Sequence, residues 1–106
     1  MIVRVVKMKF HPELEQEFLG VFHHSAENIR QFEGCLKMNL FKVKSDELTY
    51  VTISHWYSEN DLENYRNSEL FKNTWKAVKA LFSGAPEAWT LEMQALRGFQ
   101  ETLLVS

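Results

Sequence analysis

Apolar and charged positions nearly alternate along the opening stretch IVRVVKMKF. Ile2, Val6, Met8 and Phe10 fall on one face together with Arg4, while Val3, Val5, Lys7 and Lys9 fall on the other. A period of two predicts a strand. Both faces carry apolar residues near its start, which reads as an end covered on both sides. From Pro12 the period changes. PELEQEFLGVFHHSAENIRQF sets Leu14, Phe18, Phe22, Ser25, Ile29 and Phe32 on one helical stripe, with Val21 beside it. Pro12 suits the first turn, where a missing N–H leaves nothing unpaired. Gly20 weakens the middle by up to ~1 kcal/mol relative to alanine. The stripe outweighs that, because each buried apolar side chain contributes ~1.5–3 kcal/mol. Gly34 is the natural stop.

CLKMNLFKVKS predicts a second strand, with Leu36, Met38 and Leu40 on one face and Cys35, Lys37, Asn39, Phe41 and Val43 on the other. A short polar turn, DEL, leads into a third strand, LTYVTISHW, so the two form a hairpin. Tyr50, Thr52, Ser54 and Trp56 share one face of the third strand; Val51, Ile53 and His55 share the other. Ser58 reads as a helix N-cap with Asp61 three positions on. A second start at Asn67 or Ser68 predicts a broken helix. Its second half buries Leu70, Thr74, Ala77, Val78 and Leu81, flanked by Phe71, Trp75 and Phe82, and exposes Lys72, Lys76 and Lys79. SGAPEAW ends it, and AWTLEMQAL is a fourth strand.

The order β-α-β-β-α-β is that of an α+β, ferredoxin-like fold, an antiparallel sheet with helices on one face. The other face then needs a cover, and a chain this short has only a second subunit to supply it. A homodimer packed sheet against sheet is expected. Residues 1–97 form the domain, and 98–106 form a C-terminal extension placed at the dimer interface, where Phe99, Leu103, Leu104 and Val105 would lie against the partner.

Composition narrows the function classes. With 106 residues the chain is one domain. A hydrophobic fraction of 45% with 13% aromatics is rich for that length and agrees with a partner covering apolar surface. A net charge of -2 gives no basic footprint for nucleic acid. One cysteine, Cys35, excludes an intrachain disulfide and a Cys-rich metal site. The N-terminus lacks a continuous apolar run followed by small residues, so no signal peptide is expected. No segment approaches the ~18 apolar residues of a membrane span. A cytoplasmic protein is the expectation. No two histidines stand four apart on a helix and no Gly-rich phosphate loop follows a strand, so neither a metal nor a nucleotide cofactor is expected.

MIVRVVKMKF, the helix end IRQFEGCL and HWYSENDLENYRNSELFKNTW together resemble the antibiotic biosynthesis monooxygenase family of dimeric α+β barrels, over roughly residues 1–95. The last stretch follows the family's pattern of Trp, one residue, Ser, then Leu and a later Ser-x-x-Phe. The resemblance implies the fold and a cavity between sheet and helices. Members include cofactor-free oxygenases of phenols and quinols, haem-degrading oxygenases, and proteins without an established activity. The haem-degrading branch has an Asn on its first strand, a Trp on the first half of the broken helix and a His on the second. Here the first strand has no Asn, the Trp position holds Tyr65 and the His position holds Trp75. Haem degradation is therefore not expected.

Four residues are candidates for a pocket: Asn39, Trp56, Tyr65 and Trp75. Each has two readings. Trp56 either anchors the third strand to the broken helix or walls a pocket with its indole N–H offered to a ligand. Thr52 and Ser54, small hydroxyl residues on its face, favour space beneath it. Tyr65 and Trp75 either fill core or line a cavity for a flat organic molecule. Asn39 either faces solvent or a partner subunit, or meets a ligand oxygen. Cys35 reads as a small core residue, since nothing places a base beside it. Two functions follow. One is a cofactor-independent monooxygenase acting on a small aromatic phenol or quinol. The other is a non-catalytic, small-ligand-binding or stress-related dimer, favoured by the lack of histidine at the family's positions. No catalytic residue can be named from the sequence.

Overall fold

The computed structural model describes residues 1–96. Strand β1 (Ile2–Lys9) leads through a 3-10 turn (Pro12–Leu14) into α1 (Glu15–Arg30). The hairpin β2 (Cys35–Lys42) and β3 (Thr49–Trp56) follows, then α2 (Glu59–Arg66), α3 (Glu69–Lys79) and β4 (Glu87–Glu92). The sheet is antiparallel, in the order β2-β3-β1-β4, which places β1 and β3 at its centre. This is the ferredoxin-like arrangement the pattern predicts. The proposed C-terminal extension, 98–106, lies outside the described residues.

Residues directly opposite each other in antiparallel strands share a face. Met8 pairs with Tyr50, Val6 with Thr52 and Arg4 with Ser54, so these side chains look toward the helices. Met8, Tyr50 and Met38 are buried there under Phe18, Phe22 and Ile29 of α1. Phe10 and Phe18 stack with ring centroids 4.0 Å apart and both are fully buried. The Tyr50 hydroxyl leaves this core to donate to Glu15 Oε2 at 2.7 Å, and Lys42 Nζ meets the same oxygen at 3.1 Å.

Among the described residues the opposite face has no helix on it. Val3, Val5, Val51 and Ile53 are half-buried by their strand neighbours, while Phe41, Trp89 and Leu91 are exposed.

Three local readings need correction. A bulge between Cys35 and Lys37 lets Cys35 pair with Trp56, and Lys37 with His55. An extra residue in one strand reverses the alternation behind it. Cys35 therefore shares the helix-side face rather than that of Asn39, and Leu36 is exposed. Ala77 is exposed instead of buried, because α3 turns Val78 and Leu81 into the core. Phe10 lies beyond β1, held by an isolated bridge to Phe82.

Among the described residues no helix is long and apolar enough to cross a membrane.

Candidate functional site

Between the sheet and the broken helix lies a cavity of about 270 Å3. That is just below the ~300–1,000 Å3 usual for small-molecule sites, and suits a ligand of one or two rings. The break between α2 and α3 builds it. Ser58 caps α2 by accepting from the Asp61 N–H at 3.1 Å, and its own hydroxyl donates to Asp61 Oδ2 at 2.9 Å. Ser68 restarts the helix by accepting from the Phe71 N–H at 3.1 Å. The change of axis brings aromatics from both halves to one wall. Tyr65 of α2 meets Phe71 of α3 edge to face at 5.3 Å, and Phe71 stacks on Trp75 at 6.0 Å with an interplanar angle of 9°. Trp75 in turn meets Phe82 at 5.5 Å.

Trp56 has no exposure and stacks on Tyr65 at 4.9 Å, so it anchors β3 to α2. It also borders the cavity. Its only donor is already engaged: the indole Nε1–H donates to Ser54 Oγ at 3.0 Å. The group left to address a ligand is the Ser54 hydroxyl hydrogen, which has no acceptor among the described residues.

Burial, and then the nearby Cys35, push the Tyr65 phenol well above its ordinary value. Tyr65 therefore stays protonated and can donate. Thr52 contributes a second hydroxyl. Thr74, also at the cavity, is tied to α1 by a hydrogen bond to Ser25 Oγ at 3.3 Å.

Of the four sequence candidates, Trp56, Tyr65 and Trp75 are brought together here. Asn39 is not. It pairs with Ile53 and stands on the uncovered sheet face, because the alternation of β2 sends it away from the helices. None of the four histidines borders the cavity; His55 is on that same outer face, beside Lys37 and Val3. Two cavity residues, Arg4 and Arg66, were not among the candidates. The signal for Arg4 was present as a cation on the otherwise apolar face of β1. Arg66 carried no comparable signal, since a basic residue at a helix C-terminus is ordinary.

The residues do not fit haem ligation at the place the resemblance indicates. Trp75 stands there, and an indole N–H is a donor with no lone pair for iron.

Comparison with known proteins agrees with this architecture. A family model described as antibiotic biosynthesis monooxygenase matches residues 1–77. No curated protein matches the sequence. Among solved structures, an antibiotic biosynthesis monooxygenase is similar with a TM-score of 0.84 at 20% identity, covering 90% of this chain and 100% of its own. A protein of Caulobacter crescentus CB15 named for the same family is similar at 26% identity, with a TM-score of 0.83 and coverage of 89% and 90%. A variant of SnoaB, a cofactor-independent oxygenase from Streptomyces nogalater, is similar at 18% identity, with a TM-score of 0.79 and coverage of 92% and 97%. With residues 1–77, more than half its length, matched by the family model, the chain belongs to the antibiotic biosynthesis monooxygenase family.

Proposed function

We propose that this protein is a cofactor-independent monooxygenase of a small aromatic phenol or quinol, working as a homodimer. The observation that carries the reading is the composition of the cavity wall. Aromatic and aliphatic side chains form most of it, and the donor-bearing residues Ser54, Thr52, Tyr65 and two arginines complete the lining. Such a lining has flat apolar surface for a ring and N–H and O–H groups for a phenolate oxygen, without a carboxylate to repel one. Donors fixed in a dry site stabilise a developing oxyanion more than water does.

The bound phenol gives up its proton to water, and the phenolate transfers an electron to O2. The resulting radical pair joins at a ring carbon para to the oxygen that carries a hydrogen, forming a C–O bond, and the peroxide anion takes the proton back from water. The hydroperoxide then loses water across its O–O bond to give a quinone. One oxygen atom of O2 enters the product and the other leaves in water. The four electrons come from the substrate.

The test is O2 uptake during aerobic, metal-free incubation with a panel of phenols and quinols that keep a hydrogen on a ring carbon para to a hydroxyl. Uptake above the autoxidation rate that falls in Tyr65→Phe supports the reading. Uptake equal to autoxidation across the panel sinks it.

A second reading, a non-catalytic binder of the same kind of molecule, is favoured by one feature. The cavity lining holds no imidazole or carboxylate to act as a base. Ring binding without O2 consumption would select it.

The dimer is supported by the uncovered sheet face. Its half-buried valines and Ile53, with exposed Phe41, Trp89 and Leu91, form an apolar surface a second copy would cover.

A further inference from the structure

A guanidinium on the helix side of a central strand needs an explanation. Arg4 stands between β3 and β4, with Ser54 on one side and Thr90 on the other. It is half-buried and borders the cavity. Arginine stays charged in proteins, and a half-buried charge favours a partner of opposite sign. The only side-chain bond it makes among the described residues is from Nη1 to Thr90 Oγ1, at 2.8 Å. A guanidinium has five N–H donors, and those without a protein partner are not buried, so they are open to solvent and free to meet a ligand. No carboxylate among the described residues lies within 4.0 Å of it. Glu92, opposite Ile2, shares its face but makes no such contact and does not border the cavity.

Arg66, at the end of α2, borders the same cavity from the opposite wall. Its Nη1 pairs with Glu63 at 3.0 Å. Two guanidiniums against one carboxylate leave one net positive charge at this end. Burial, then repulsion from Arg66, lower the pKa of Arg4, and Glu63 only partly opposes this. The arrangement favours an anion at this end of the cavity.

Thr52 lies two residues along β3 from Ser54, the partner of Arg4. The two rows of the sheet are therefore roughly 7 Å apart. A ring with a hydroxyl at one end and an anionic group at the other spans that distance.

We propose that the natural ligand is an aromatic carboxylate, its carboxylate held by Arg4 and Arg66 and its ring lying along the Tyr65–Phe71–Trp75 wall. The proposal rests on the cavity being the ligand site and specifies the substrate class within that reading. A carboxylate matches the guanidinium fork with two parallel hydrogen bonds, which a phosphate-free, neutral quinol does not offer.

Isothermal titration with 2-naphthoate and with its methyl ester separates the possibilities, in wild type, Arg66→Gln, Arg4→Gln and the double variant, each first checked for folding by circular dichroism. Arg66 is exposed at a helix end, so its variant keeps the test open should Arg4→Gln fail to fold. The wild type should bind the acid at least about tenfold tighter than the ester, as a charged hydrogen-bonding pair implies. That ratio should fall in Arg66→Gln, and approach one in the double variant. Equal binding of acid and ester by the wild type overturns the carboxylate while leaving the cavity as a ring site. A preference for the acid that survives in the variants overturns the assignment to these arginines. Failure of both ligands to bind overturns the ring-binding cavity and this proposal with it.

Discussion

Replacing Gly34 with alanine should destabilise the protein, whereas the same replacement at Gly20 should stabilise it. Gly34 turns the chain from α1 into β2 with φ of +86°, a conformation that disfavours any Cβ. A Cβ there would also run into the Asp61 side chain, starting at the Asp61 Cβ, which cannot swing aside without moving α2. The left-handed conformation costs roughly 1–2 kcal/mol. Displacing Asp61 disrupts its exchange with Ser58 at the α2 N-terminus, about another 1 kcal/mol. The loss of chain entropy in the unfolded state returns ~0.4–1 kcal/mol. The net is about 2 kcal/mol, or roughly 10 °C in Tm for a domain of this size. At Gly20, exposed in the middle of α1, a new Cβ meets nothing within 4 Å. Helix propensity alone then acts, for a gain of up to ~1 kcal/mol. Urea unfolding followed by tryptophan fluorescence measures both. Gly34 also accepts from the Tyr57 N–H at 2.8 Å, so its replacement disturbs the base of the helix that carries Tyr65 and Arg66. Ligand binding should weaken in Gly34→Ala and not in Gly20→Ala. A change at Gly34 below about 0.5 kcal/mol, no larger than an ordinary surface substitution, would refute the reasoning.

Trp56→Ala should cost ~3–5 kcal/mol, the range for a fully buried large aromatic, and Trp75→Ala should cost less, because the space it vacates joins an existing cavity. A loss above ~4 kcal/mol for Trp75 in denaturant unfolding would mark it as plain core. Light scattering at micromolar concentration should give a dimer, with an interface above ~2,000 Å2 as obligate dimers have; a monomer defeats that reading of the bare sheet face. Burial, and then the charge of Lys37, hold the His55 imidazole below its ordinary value of 6.5. The folded chain then binds fewer protons than the unfolded chain, so this contribution is complete above pH 6.5 and is lost as pH falls through the folded value. His55→Asn should flatten the dependence of stability on pH in that window, and an unchanged slope would clear His55 of the role.

Periodicity alone determined the element order, because a strand and a helix that each bury one face must repeat at two and at 3.6 residues. The alternation of β1 and β3 put Met8, Tyr50 and Trp56 on the helix side, where they are buried. Ser58 marked the first half of the broken helix and Asn67 or Ser68 the second, where Ser68 is the cap, since a cap depends only on its own first turn. The same local logic failed at Cys35, because a bulge is fixed by pairing with β3 and not by β2 itself. It could not decide between the two readings of Trp56, since the acceptor for its N–H and the aromatic ring it stacks on belong to residues placed by the sheet and by α2. It read Asn39 as a candidate although β2 turns that side chain to the uncovered face. Arg4 and Arg66 are 62 positions apart in sequence and carry no shared pattern. Only the packing of α2 against β3, the strand beside β1, brings both residues to the lining of one cavity.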